Sequence, residues 1–307
     1  MRHDIYSCSK PLQYFNLRNL TLPHPSTKRT LIILGAFFEA EEFVATLKRL
    51  DTSWDTVIYC KTHREVYTYI FTHPAQNLVT EMDASFVCGL LSCCHRFKQL
   101  YIYEEGFGSY RKDRFNPAKG IKRFINKRTG VGNHVGFSSF LTGQFLYFPA
   151  LYKQQMPHYD KELLSFNQPF VPQLTHELPF FLHFFKEYET FQALTNQKIG
   201  IYITNHTLNP HIIERLIADK AHFDCIYIKP HPHIKDTKLS TQYGISLIRS
   251  NIMLEFLWVL LLANHNQITV YHENSTAVLW FQDKMKCYNM GDPYIEYTIV
   301  SDYIKNL

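Results

Sequence analysis

The sequence predicts an α/β protein made of two Rossmann-like domains facing a central cleft. Three observations carry that expectation. Short apolar runs rich in β-branched and aromatic residues alternate with helical patterns from about residue 29 to residue 103, as in a parallel sheet covered by helices on both faces. The alternation then fades through a stretch broken by Pro157, Pro169, Pro172 and Pro179, and starts afresh near Lys198. At 307 residues the chain is also long enough for two compact domains. The expected division is a first domain with its connector over residues 1–190 and a second domain over 191–307.

The elements follow in order. RTLIILG (29–35) reads as a buried strand ending on Gly35, with a helical pattern over Glu39–Leu50. DTVIYC (55–60) is a second strand, residues 62–73 and 84–96 are helices, and QLYIY (99–103) is a strand that stops at Glu104-Glu105-Gly106. QFLYFP (144–149) adds a strand, and a connector with short helices runs from Pro149 to about Phe191. The second alternation comprises strands at 198–204, 224–229, 244–248 and 267–271, with helices at 209–220, 252–263 and 275–282.

Composition is that of an ordinary globular protein, with 46% hydrophobic and 19% charged residues, which excludes a disordered chain. The net charge of +5 is unevenly spread. RKDRFNPAKGIKRFINKR (111–128) sets eight Lys and Arg residues against the single Asp113. Such a segment suits an anionic partner, whether nucleic acid, lipid headgroups or an acidic glycan, and equally a solvated loop. Seven cysteines without a CxxC pattern make neither a disulfide framework nor a zinc site, which fits a reducing compartment. The N-terminus lacks an apolar signal core, and the longest apolar stretches are too short to span a bilayer. The expectation is a cytoplasmic protein, at most resting on the inner face of a membrane.

Three places just beyond predicted strands hold chemistry-bearing residues. The first is Glu104-Glu105-Gly106, where two carboxylates side by side raise each other's pKa unless one points away. The second is Lys229-Pro230-His231-Pro232, and the third is Asn274-Ser275-Thr276 at a helix start, where free N–H groups and hydroxyls would suit a phosphate. Each has a plainer reading. The glutamates could be solvated turn residues, His231 could be incidental to a rigid turn, and Ser275 could simply cap a helix. His231 and His233 lack a clear third ligand, so no metal site is expected.

Taken together, order and spacing resemble the bacterial sialyltransferases of GT-B architecture: the lipooligosaccharide sialyltransferases of glycosyltransferase family 52, the capsule polysialyltransferases and the marine-type multifunctional enzymes. The shared motifs are the acidic-acidic-Gly run Glu104-Glu105-Gly106, the His-Pro pair His231-Pro232 and the hydroxyl pair Ser275-Thr276. Glu255 matches a glutamate that these families place between the last two motifs. Thr276 stands where many members have serine, and Pro230 where some have glycine.

The resemblance implies inverting transfer of a nonulosonic acid from its CMP-activated form to a hydroxyl of a capsule or lipooligosaccharide glycan, without a metal or other cofactor. It implies Glu105 as the base, with Glu104 tuning or orienting it, and His231 as the group that assists departure of the phosphate. Lys229, Pro230, Pro232, Glu255, Ser275 and Thr276 would contact the nucleotide in the second domain. The acceptor would enter by the first, near Gly35, with Arg111, Lys112, Lys122 and Arg123 facing the acceptor or the membrane. The partners implied are a CMP-sugar donor, a glycan acceptor and a peripheral membrane contact, and no nucleic acid. A pseudaminic, legionaminic or Kdo-type donor fits the same motifs. A glycerol- or sugar-phosphate polymerase and a non-catalytic module for anionic polymers are the alternatives from other classes.

Overall fold

The computed structural model describes residues 3–37, 39–110, 119–184, 188–205, 207–231, 243–249 and 252–307. The chain divides into two compact units, Met1–Pro169 and Phe170–Leu307, each built on a wholly parallel sheet.

The first sheet contains β1 (His3–Cys8), β2 (Lys28–Leu34), β3 (Thr56–Cys60), β4 (Ala75–Thr80), β5 (Phe97–Tyr103), β6 (Gly143–Leu146) and β7 (Glu162–Ser165), in the order β3-β2-β1-β4-β5-β6-β7. Three of these strands, β1, β4 and β7, were not anticipated. For β1 and β4 the reason is a buried polar pair. Asp4 of β1 stands directly opposite Asn77 of β4, and both are fully buried. The Asp4 carboxylate accepts hydrogen bonds from the Ser26 amide and hydroxyl, both at 2.6 Å, and from Asn77 Nδ2 at 2.7 Å. Two central strands therefore carry polar residues where an apolar run would have marked them. The connecting helices behave as their periodicity requires: Ala40–Leu50 buries Ala40, Phe43, Val44 and Leu47, one stripe of a 3.6-residue repeat.

The second sheet contains β8 (Lys198–Ile203), β9 (Cys225–Lys229), β10 (Ser246–Leu247), β11 (Gln267–His272) and β12 (Lys286–Asn289), in the order β10-β9-β8-β11-β12. The helix Leu254–Ala263 is apolar all round and buries Phe256, Leu257, Trp258 and Leu261 completely. Such a helix needs cover on both sides. It packs on β11, and the helices Phe170–Leu182 and Tyr188–Gln192 cover it from elsewhere, with Phe181 stacked on Phe256 at 4.4 Å between ring centres. These two helices lie in the expected connector, yet they belong to the second unit. The division accordingly falls after Pro169 and not near residue 190. Pro179 lies inside the first of them without ending it. The strand β12 and the final helix Ile295–Lys305 were also unforeseen.

Both sheets reverse direction. In the first, the chain lays β2 and β3 outward from β1, then places β4 on the other flank of β1. In the second, β9 and β10 run outward from β8, and β11 returns to its other flank. In an open parallel sheet the loops beyond such a reversal diverge and leave a crevice at the C-terminal strand ends. Among the described residues no helix is long and apolar enough to cross a membrane.

Candidate active site

In the first unit, β5 delivers the two glutamates to opposite fates. The Glu104 amide donates to the Phe145 carbonyl at 2.9 Å, extending the sheet pairing by one residue. Its side chain is 1% exposed. One carboxylate oxygen accepts from the Tyr110 hydroxyl at 2.6 Å and the Tyr147 amide at 2.9 Å, and the Glu104 carbonyl accepts from Asn16 Nδ2 at 2.8 Å. Burial pushes the Glu104 pKa up to about 7, against the pull of the Tyr110 and Tyr147 hydrogen bonds. The expected repulsion between the paired glutamates is thus not what raises it, and the other expectation applies: Glu104 points away and anchors the loop.

Glu105 is 42% exposed and pairs through Oε1 with Lys10 Nζ. Gly106 has φ of 93°, a left-handed conformation that glycine adopts without strain, and it turns the chain away from the sheet. Nearby, at the end of β4, Glu81 is held above the usual carboxylate range chiefly by burial, with the Glu105 charge pushing the same way and His63 opposing. Glu81, Cys8, His63 and Thr80 line a cavity of about 40 Å³ at the β1/β4 reversal.

Lys10, Asn16, Glu81 and Tyr110 were all missed. Lys10 precedes a proline-started helix, Pro11–Arg18, that follows β1 directly, so its place was hidden along with that strand. Gly35 ends β2 as expected, but its evident constraint is packing: a Cβ there would collide with the Tyr59 ring. Arg111 and Lys112 lie outside the described residues, as does the side chain of Lys122. Arg123 is exposed on the helix Gly120–Thr129.

In the second unit the strand ends are level: Ile203 of β8 pairs with Lys229 of β9 and with His272 of β11, which pairs in turn with Asn289 of β12. The His231 turn and the Ser275-Thr276 turn therefore leave the same edge of the sheet, on either side of β8. Thr204, the first residue after β8, ties the His231 turn down. Its amide donates to the Lys229 carbonyl at 3.1 Å, and its Oγ1 accepts from the His231 amide at 2.7 Å. Pro230 is buried and His231 half-buried, while Pro232 and His233 lie outside the described residues.

On the other side, the Ser275 amide donates to His272 Nδ1 at 3.2 Å. Burial lowers the His272 pKa to about 4, so the ring is neutral at pH 7 and Nδ1 is free to accept. Asn274, in the left-handed region at φ 55°, exchanges hydrogen bonds with Asn289: its amide donates to Asn289 Oδ1 at 2.9 Å, and its Oδ1 accepts from Asn289 Nδ2 at 2.7 Å. The expected helix over 275–282 is a short 3-10 helix, Thr276–Phe281. Its few peptide dipoles make a weaker anion site than an α-helix would. The hydroxyls of Ser275 and Thr276 remain, and Ser275 makes no side-chain cap bond. Thr204 and His272 carried no signal of their own in the sequence.

Lys229 and Glu255 were expected to contact the nucleotide, and in the structure each feels the charge of the other. The Lys229 side chain is 5% exposed. Burial lowers its pKa to about 8, while the Glu255 charge raises it. Glu255, in the first turn of the Leu254–Ala263 helix, is pushed up by burial and pulled down by Lys229. A larger groove, about 890 Å³, lies at the opposite edge of this sheet, where Lys198, Gln267 and Lys286 begin their strands. Among the described residues, no predicted site residue lines it. Among the described residues, no three His, Cys, Asp or Glu side chains converge as metal ligands.

No protein-family model matches the chain, and no curated protein does. Among solved structures it is similar to the Methanocaldococcus jannaschii UDP-GlcNAc 2-epimerase in complex with UDP-GlcNAc and UDP, with 12% identity and a TM-score of 0.52 over 99% of this chain and 92% of that one. The likeness shows the fold: a GT-B-like pair of Rossmann-type units.

The burial of Glu104 has a measurable consequence. The folded protein keeps this carboxyl protonated until about pH 7, whereas an unfolded chain ionises it near the ordinary value of 4.5. Its contribution to stability is full below the unfolded pKa and is lost as pH rises through the folded one. Glu104→Gln removes that dependence. Urea unfolding from about pH 5 to about pH 8 should show wild-type stability falling relative to the variant. A pH-independent difference would mean that the carboxyl is ionised throughout.

Proposed function

We propose that the protein is an inverting glycosyltransferase that moves a nonulosonic acid from its CMP-activated form to a hydroxyl of a surface glycan. The observation that carries this reading is that the His231 turn and the Ser275-Thr276 turn leave one sheet edge on either side of β8, the first tied to Thr204 and the second to His272. These are the motifs on which the sialyltransferase resemblance rests. The broader step, use of a sugar nucleotide, has separate support: the epimerase of similar fold was solved with UDP-GlcNAc and UDP.

The chemistry follows from the groups present. As the anomeric carbon separates from the CMP phosphate, negative charge grows on that phosphate and needs preorganised donors. The His231 ring can donate to it, and the Ser275 and Thr276 hydroxyls can hold it. The acceptor hydroxyl must lose a proton as it attacks, and Glu105 is the accessible carboxylate for that step. Lys10 occupies its Oε1, and among the described residues nothing bonds Oε2. Glu104 fixes the backbone from which Glu105 projects. No step calls for a metal ion.

Calorimetry with CMP, CDP, UMP and UDP, followed by CMP release from a panel of CMP-nonulosonates, tests the reading. Preference for CMP and turnover of at least one such donor are expected. Preference for UDP would replace it with a UDP-sugar reading, the one the structural neighbour favours. Glu105→Gln should slow transfer by about a hundred- to ten-thousand-fold with CMP affinity unchanged. His231→Ala should lower kcat and weaken CMP binding together, and full activity in that variant would remove the turn from the chemistry. Ser275→Ala with Thr276→Ala should weaken CMP binding by at least about a hundredfold, the loss expected for about two hydrogen bonds to a charged group at about 1.5 kcal/mol each.

A further inference from the structure

The first unit carries an apolar and cationic surface that the proposed transfer does not use. On the helix Gly120–Thr129, Ile121 is 80% and Phe124 60% exposed, one helical turn apart. The Arg128 guanidinium lies over the Phe124 ring at 5.5 Å. Lys119, Arg123, Lys127 and Arg128 are exposed around them, and residues 119–129 contain no Asp or Glu. The helix Phe86–Cys93 packs beside it, with Gly89 against Thr129 and Val131. That helix exposes Phe86 and Leu90, one turn apart, and carries no charged residue.

Large apolar side chains left in water on two adjacent helices call for a partner. The charge selects it. Among the described residues of these two helices every charge is cationic, so two copies of this face would repel each other and a second chain is a poor fit. Apolar residues that can enter the headgroup boundary, flanked by Lys and Arg and lacking carboxylates, make the surface an interfacial helix presents to anionic lipid. We infer that the helices Phe86–Cys93 and Gly120–Thr129 dock the protein on an anionic bilayer surface. Ile121 and Phe124 insert, while Arg123, Lys127 and Arg128 bind headgroups.

Vesicle flotation of the full chain tests this without reference to any sugar donor. Binding is expected to vesicles containing phosphatidylglycerol. Pure phosphatidylcholine should bind at least about tenfold more weakly, and salt should weaken the anionic interaction as screening shortens to about 8 Å. Ile121→Glu with Phe124→Glu should lower binding at least about tenfold. Arg123→Ala with Lys127→Ala should lower it by about fivefold per cation removed. Lys48→Ala with Arg49→Ala, exposed on the helix Ala40–Leu50, should leave binding unchanged. Unfolding midpoints in urea confirm that each variant is folded. Equal binding to neutral vesicles, or wild-type binding by the folded double glutamate variant, overturns the inference. So does a self-association of the wild type that this variant loses while vesicle binding persists. CMP binding is read separately, so failure of the donor reading would leave this test intact.

Discussion

Strictly parallel strand pairing governs where this chain can place chemistry. Every crossover returns the chain to the same end of its sheet, so the loops after β1, β4 and β5 are neighbours in the first unit, as are those after β8, β9 and β11 in the second. The reversals between β1 and β4 and between β8 and β11 then open a crevice at that edge of each unit. Lys10, Glu81 and Glu105 gather at the first, and Thr204, His231 and Ser275 at the second. None of these is near its companions in sequence. The groove at the opposite edge of the second sheet is larger, yet it lies where strands begin.

The loops at these edges are held by buried polar groups and not by packing alone. Each candidate follows or adjoins an anchor that accepts a hydrogen bond from a backbone amide. Glu104 takes the Tyr147 amide and sets the position of Glu105. Thr204 takes the His231 amide, and His272 takes the Ser275 amide. A buried acceptor left without its donor is costly, so these bonds fix the loop geometry more tightly than solvated turns would be fixed. His272 can serve only while neutral, because protonation would fill the nitrogen that accepts from Ser275. The same burial that makes the ring hard to protonate thus keeps the bond in place.

The legible parts of the sequence were those whose local pattern agreed with their tertiary surroundings. The runs around Leu31, Ile102, Ile201 and Val270 are apolar because they are central strands, and each was found. β1 and β4 are just as central, but the Asp4–Asn77 pair replaces apolar burial with hydrogen bonds, and that exchange leaves no periodicity to read. The helix Leu254–Ala263 was found, while its need for cover on every side, which draws residues 170–192 into the second unit, depends on contacts distant in sequence. At the site, His231, Ser275 and Glu105 stood out by residue type and position after a strand. Thr204, His272 and Lys10 did not, because a threonine, a histidine or a lysine becomes informative only once the register brings the strand ends level.

Glu104 and Glu105, adjacent in sequence, differ in what their surroundings let them do. Glu104 holds two donors inside the fold and could not release them without leaving buried groups unpaired. Glu105 is paired with Lys10, but both side chains are substantially exposed. Surface ion pairs contribute only about 0–1 kcal/mol, since water replaces either partner readily. A group approaching Glu105 can therefore displace Lys10 with little loss, while the same approach to Glu104 would strip donors from a buried carboxyl. That difference in replaceability, more than the acidity of either group, is what favours the proposed roles of Glu105 as base and Glu104 as its support.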